Sequence, residues 1–364
     1  MPENKPALRI LVVSSQSCDS GSNLRGRYLA KALAKAGAQV RFINGVKALP
    51  CMLDYLVSMV LYLRILFIRC DVLIGLKPFL NITFLMMIKK WMGCFTVIDI
   101  DDLDFGYRSG IIGRLNHWLQ CPFPRYFAMT TYHIEHLCPI ILDTFKVPAN
   151  RLHQLHQGVN LDIYQPRDIS PWKGQFYAEH NLQAKKLVVY TAHLNVASDL
   201  DAIYEIIRRA HDRLAALRFL VIGGGPMEKH FRILARNMGL DAICLFTGYL
   251  PPAEVVRHLL LGDAAIVYYK DIKVNYYRES MKLREMLALG LPVVCNDVGD
   301  LRTFRPYTYQ VATDYDACAE ELVRVLSQGG DGREKRGMTF VRQTMDWDRI
   351  GHDLYARITR DCCP

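Results

Sequence analysis

The stretch Glu279-Ser-Met-Lys-Leu-Arg-Glu-Met-Leu-Ala-Leu-Gly-Leu-Pro-Val-Val294 decides how this chain folds. Ser280 is the residue type that caps a helix start, and Met281, Leu283, Met286 and Leu287 carry the apolar spacing of a helix. Gly290 and Pro292 end that helix, and Leu291 to Val294 suits a strand buried on both faces. Lys282 and Glu285 stand three apart, so a helix places them on one side near its N-terminus. That end carries free backbone N–H groups and partial positive charge, which suits a phosphate. A cation beside the phosphates and a carboxylate one turn on, against a sugar diol, would make a nucleotide-sugar cradle. The same residues also describe an ordinary amphipathic helix with a solvated Lys–Glu face.

Upstream of this stretch the pattern alternates. Strands are expected at Lys186–Thr191, Arg218–Ile222, Ala242–Thr247 and Ala264–Tyr268, with helices at 199–214, 227–238 and 252–260. The run Gly223–Gly225, with Gly224 at its centre, reads either as a phosphate cradle or as a strand-end turn. Helices at 315–327 and 346–360 finish the chain, separated by a polar turn from Gly329 to Gly337.

The first half opens in the same manner. Leu8–Val13 is a strand, Ser14–Asn23 a polar loop, Leu24–Ala36 a helix and Gln39–Ile43 a second strand, which makes a βαβ unit. The loop holds Gly21 but no Gly-x-Gly-x-x-Gly fingerprint. Phe95–Asp104 is a strand ending in carboxylates. At the C-terminal edge of a parallel strand, Asp99, Asp101 and Asp102 form a site candidate, with a divalent ion or a helix cap as the alternatives. Residues 49–92 mix apolar faces with basic and aromatic edges, which reads as a membrane-surface patch or as helices packed in a core. Leu161 to Gly174, with Pro166 and Pro171, reads as a linker.

Two doubly wound α/β domains fit the 364 residues. Their expected bounds are 1–165, joined by the helix 346–360, then a linker at 166–184 and a second domain at 185–345. A hydrophobic fraction of 51% with 22% charged residues belongs to a globular protein. A net charge of +9 favours anionic partners, and the scattered Lys and Arg argue against nucleic acid. The 11 cysteines lack paired Cys-x-x-Cys spacing and read as reduced thiols of a cytoplasmic protein. Neither a secretory signal nor a transmembrane helix is expected: the most apolar run, Leu56–Ile68, is short and holds Arg64.

Taken together, four pieces resemble the retaining glycosyltransferases of family 4. They are His156-Gln-Gly-Val-Asn160 with Tyr164 and Pro166; Val221–Pro226 with Phe246–Leu250; Met281–Val294 with Asp297-Val-Gly299; and Trp347-Asp348 opening a terminal helix. The resemblance implies a GT-B fold of two Rossmann-like domains, with that helix returning to the first domain. It implies transfer of a sugar, with retention, from a UDP or GDP sugar to a glycan or lipid-linked acceptor. The resemblance implies an enzyme that works without a metal, while the basic, aromatic-edged region of the first half suggests peripheral contact with an anionic membrane on its cytoplasmic side. By the same resemblance Glu285 would bind the donor ribose, Met281 and Lys282 the diphosphate, and Tyr249 the base. Gly21 would face the phosphates and acceptor, and Asp101 and Asp102 the transferred sugar.

The chain departs from the family pattern at two places. The first Glu of the Glu-seven residues-Glu motif falls on Tyr277, with Glu279 close by. The loop after Thr191 holds His193 but no Arg or Lys, so Lys282 or His193 would have to neutralise the leaving group. A nucleotide-sugar epimerase and a non-catalytic partner with a decayed donor site are the alternative functions.

Overall fold

A computed structural model describes residues 7–14, 21–44, 60–101 and 122–362, together with Val57 and Trp118. It forms two compact units. One holds Met1–Gly158, Tyr277–Glu279 and Trp347–Pro364, and the other holds Val159–Tyr276 and Ser280–Asp346.

The first unit is a six-stranded parallel sheet: β1 (Arg9–Ser14), β2 (Gln39–Ile43), β3 (Val72–Leu76), β4 (Phe95–Ile100), β5 (Met129–Tyr132) and β6 (Leu152–Gln154), in the order β2-β1-β3-β4-β5-β6. β3 is buried along its whole length, as its unbroken apolar run requires of a central parallel strand. Between strands run α1 (Gly21–Lys35), α2 (Leu80–Trp91) and α3 (Leu137–Asp143). Gly26 lets α1 lie close to the sheet, because a Cβ there would stand 2.3 Å from Leu76. The terminal helix Trp347–Cys362 packs on α1, where a Cβ on Gly351 would meet that of Ala32 at 2.4 Å.

The second unit repeats the plan with β7 (Lys186–Thr191), β8 (Leu217–Ile222), β9 (Cys244–Phe246), β10 (Ala264–Val267), β11 (Val293–Cys295) and β12 (Tyr309–Gln310). All are parallel, in the order β12-β11-β10-β7-β8-β9. Its helices are α4 (Ser170–Glu179), α5 (Leu200–Arg213), α6 (Glu228–Asn237), α7 (Pro252–Leu259), α8 (Met281–Ala288), α9 (Tyr315–Gln328) and α10 (Arg333–Thr344). The period-2 pattern of β7 splits the core: Val188 and Tyr190 pack under α5, α6 and α9, while Leu187 and Val189 pack under α4, α7, α8 and α10. The strand order reverses between β7 and β10, and the carboxyl ends of such strands are where open α/β sheets bind ligands. The segment leaving β10 leads into α8.

Two expectations change. Residues 166–184 are not a bare linker: α4 forms there and buries Phe176 in the second unit's core. Pro171 stands in its first turn, where proline needs no N–H partner. The polar stretch after Gly329 is a turn only as far as Gly332, and α10 follows. Gly337 looks like turn punctuation in the sequence. In the structure it lets α10 approach α8, since a Cβ there would come within 2.9 Å of Leu287.

Candidate functional site

The start of α8 is held by a buried polar lock. Ser280 Oγ accepts from the Leu283 N–H at 3.2 Å, and the Ser280 N–H donates to Asp300 Oδ2 at 2.8 Å. Arg284 donates to the same oxygen at 2.7 Å and to the Ser280 carbonyl at 2.9 Å, with its guanidinium 4.8 Å from the Phe304 ring. Arg284 and Asp300 are both almost fully buried, so neither charge has water to fall back on. Sequence reasoning missed this pair. The available signal was an arginine on the inward side of a helix, followed sixteen residues later by an acid.

On this fixed helix start Lys282 reaches back to β7. Its ammonium donates to the Tyr190 hydroxyl at 3.1 Å and lies 4.5 Å from the centre of that ring. Glu285, one turn on, is only 7% exposed. Burial pushes its carboxyl up to about 7, and the Tyr164 hydrogen bond and the Lys282 charge offset only part of that. The structure thus brings Met281, Lys282 and Glu285 together at the β7/β10 reversal point.

His193 and Tyr249 are exposed at the same sheet edge, Tyr249 at 80%. The glycine run after β8 makes a strand-end turn. Gly223 has φ +126°, and a Cβ on it would stand 2.1 Å from the Ala192 carbonyl oxygen. A Cβ on Gly224 would stand 2.8 Å from the Tyr249 nitrogen, and one on Gly225 2.4 Å from the Leu194 carbonyl oxygen. The space beside each glycine is filled by the chain's own backbone, and Gly224 serves to seat Tyr249.

In the first unit the carboxyl ends of four strands converge on a second cluster. Asp99, closing β4, pairs with Arg25 of α1 (2.9 and 3.2 Å), both side chains 1% exposed, and accepts from Thr131 at 2.6 Å. Arg25 also donates to the Leu155 carbonyl and lies under the Trp347 ring, so Asp99 ties α1, the sheet and the terminal helix together. Asp101 pairs with Lys77 at 3.2 Å and accepts from Ser22 at 2.8 Å. Burial alone would raise its pKa, but Lys77, Arg25, His133 and Ser22 together hold it below the ordinary carboxylate value. It is a fixed anion rather than an acid. Lys77 reaches it from a left-handed backbone (φ +67°) just after β3. Among the described residues no group of three or more His, Cys, Asp or Glu is arranged to hold a metal ion. Asp102 lies outside the described residues. Gly21 is the first residue of α1 rather than part of a loop, and open space lies beside it.

Tyr277 and Glu279 belong to the first unit. Tyr277 packs beside the Ile100 and Ile134 cluster, and its carbonyl oxygen lies 3.4 Å from His133 Nε2. Glu279 accepts from the Gln157 N–H at 2.9 Å and lies 3.3 Å from His156 Nδ1. The acid near the motif's first position therefore binds the loop that closes the first unit's last strand.

Residues 185–328 match the family model described as glycosyl transferases group 1. The chain is 24% identical over 220 residues to a GDP-mannose-dependent alpha-(1-6)-phosphatidylinositol monomannoside mannosyltransferase of Mycobacterium tuberculosis, covering 57% of this chain and 55% of that one. It is 32% identical over 213 residues to TuaH, a putative teichuronic acid biosynthesis glycosyltransferase of Bacillus subtilis, covering 56% and 50%. The chain spans about half the length of these curated relatives. Among solved structures, Anabaena Alr3699/HepE in complex with UDP and glucose superposes with a TM-score of 0.75 at 10% identity, covering 97% of this chain and 100% of that one. With its two parallel six-stranded sheets and such neighbours, the chain has the GT-B fold.

Proposed function

We propose that this protein is a glycosyltransferase that moves a sugar from a nucleoside diphosphate sugar to a glycan or lipid-linked acceptor with retention of configuration. The observation that carries the reading is the placement of Lys282, which donates to Tyr190, one turn before buried Glu285 at the start of α8, inside the segment that matches the group 1 model. In this reading the leaving diphosphate meets the α8 N-terminus and the Lys282 ammonium, which stabilise its growing negative charge without a protein nucleophile or a metal. Glu285, once ionised, accepts from the ribose hydroxyls. Asp101, held as an anion by Lys77, would orient the transferred sugar or the acceptor and could not protonate either. The mycobacterial relative's GDP-mannose is a donor of this chemical class, and the solved neighbour's UDP and glucose are the two halves of one.

Lys282 gives a direct test. Lys282→Ala should weaken a nucleoside diphosphate by about tenfold to a hundredfold, the worth of a charge-assisted hydrogen bond, and leave the free nucleoside unchanged in calorimetry. Equal diphosphate affinity in the variant would remove Lys282 from the donor site. A non-catalytic partner is the second reading, favoured by the lack of Arg or Lys in the loop after β7.

A membrane-surface acceptor is supported by the first unit's exterior. α2 turns Phe84 and Trp91, seven residues apart on one face, toward solvent, with Trp91 78% exposed and Met92 beside it. Phe67, 87% exposed, and Leu63 lie in the adjoining 3-10 turn Leu63–Phe67, which Lys89 joins to α2 by donating to the Ile68 carbonyl at 2.6 Å. Lys90 reaches the Tyr126 carbonyl and so brings half-exposed Tyr126 alongside. Arg64, Arg69 and Arg125 are exposed around these side chains, and the one acid between residues 57 and 98, Asp71, is paired with Arg9. Apolar side chains inside a cationic rim suit anionic lipid headgroups, at about 1 kcal/mol per basic residue near the surface. No helix among the described residues is long and apolar enough to cross a membrane. The protein should sediment with vesicles containing phosphatidylglycerol at low salt, and Phe67→Ser/Trp91→Ser should weaken this at least tenfold. Absence of wild-type binding would remove the membrane from the account.

A further inference from the structure

At the opposite, N-terminal edge of the first sheet lies a cleft of about 540 Å³ that has no part in the donor chemistry. Arg9, Gln39, Arg41, Phe67, Arg69 and Cys70 are among its lining residues, and its volume is in the range of a small-molecule site. Cys70 stands just before β3 and is partly exposed; Cys94 stands just before β4 and is buried behind it. Their sulfur atoms are 3.6 Å apart. The buried Lys89, whose ammonium donates to the nearby Ile68 carbonyl, stands on the same side. A hydrogen bond from Cys94 is the main influence lowering the Cys70 thiol below its ordinary value; Lys89 and Arg9 add to it, against burial and Asp71.

We propose that Cys70 and Cys94 form a reactive dithiol, oxidised by a small anionic disulfide that the arginine-lined cleft receives. The Cys70 thiolate attacks one sulfur of the external disulfide, whose S–S bond breaks and releases one thiolate. The Cys94 thiol then loses its proton and attacks Cys70 in the mixed disulfide, releasing the second thiolate. The two protein S–H protons pass to the two leaving thiolates, so the protein is oxidised by two electrons and the external disulfide is reduced to two thiols. Both cysteines lie outside the strands, and the bond requires their sulfur atoms to close from 3.6 Å to about 2.05 Å. With Arg9 paired to Asp71, the guanidinium groups of Arg41 and Arg69 set the ligand class: they draw in an anionic disulfide and do nothing for a neutral one. This site is independent of the glycosyltransferase reading.

The test is incubation of the intact protein with glutathione disulfide at low salt, followed by non-reducing peptide mapping. The Cys70–Cys94 link should appear about tenfold faster than modification of Cys138 or Cys362. Cys94→Ser should stop at a glutathione adduct on Cys70, and Arg41→Gln/Arg69→Gln should slow the reaction while leaving the fold intact. Bis(2-hydroxyethyl) disulfide should react without the advantage. Modification of Cys138 or Cys362 at the same rate as Cys70 would overturn the dithiol, and equal rates for the anionic and neutral disulfides would overturn the anion-selective cleft.

Discussion

Arg284→Met should destabilise the second unit by about 3–5 kcal/mol, the usual cost of removing one partner of a buried ion pair. The loss has an identifiable origin. Asp300 would keep its charge in a site from which water is excluded, and its Oδ2 would lose the guanidinium donor while keeping the Ser280 N–H. The Ser280 carbonyl would lose its donor as well, so the first turn of α8 would loosen and donor affinity would fall with stability. Urea unfolding followed by a probe in the second unit measures this. Arg284→Met/Asp300→Leu should recover most of the loss, because the buried carboxylate is then removed together with its guanidinium partner. A single-variant loss below about 1 kcal/mol would show that the pair is solvated and does not hold the helix.

Glu285→Gln should act on stability and on binding with opposite signs. The folded carboxyl titrates near 7, well above its ordinary value of 4.5, because burial disfavours the anion. A raised carboxylate pKa means that the folded state holds a proton which the unfolded chain releases. Its contribution is therefore most favourable below the unfolded value and is lost as pH rises toward the folded one. Integrated over that window it amounts to about 3 kcal/mol. Glutamine has no charge to desolvate, so the variant should match the wild type near pH 4 and be more stable by about 3 kcal/mol above pH 8. Nucleotide binding should move the other way. Ribose hydroxyls donate best to an ionised carboxylate, so wild-type affinity should strengthen as pH rises through 7, and the variant should bind about tenfold to a hundredfold more weakly. A buried carboxyl with no ligand to bind would show the stability gain and no binding loss.

Much of the fold is legible in the chain because strands and helices of a doubly wound sheet announce themselves by apolar period and by Gly–Pro punctuation. Ser280, Gly290 and the run from Leu291 to Val294 do what their residue types suggest. The missed helices fail for a physical reason: α4 and α10 owe their place to tertiary packing. Phe176 supplies the one buried side chain of α4, and Gly337 gives α10 its close approach to Leu287. No local pattern encodes either. The same holds at the site. Lys282 and Glu285 could be picked from their spacing, but the depth of Glu285 and the engagement of Lys282 with Tyr190 depend on strands nearly a hundred residues away. Asp99 and Asp101 look equivalent in sequence. Only the positions of Arg25 and Lys77 separate them, one locking the unit's interior and the other holding a carboxylate at the strand ends.

Thermal unfolding with UDP, GDP and their sugars tests whether α8 presents a nucleotide-sugar donor site. A ligand at about a hundred times its Kd stabilises the folded state by about 2.7 kcal/mol, a rise of several degrees for a unit of this size. At least one nucleoside diphosphate should give such a rise, and at the same concentration Glu285→Gln should keep about half of it or less. If no member of the series shifts the wild-type transition, the donor site is contradicted and the non-catalytic reading takes its place.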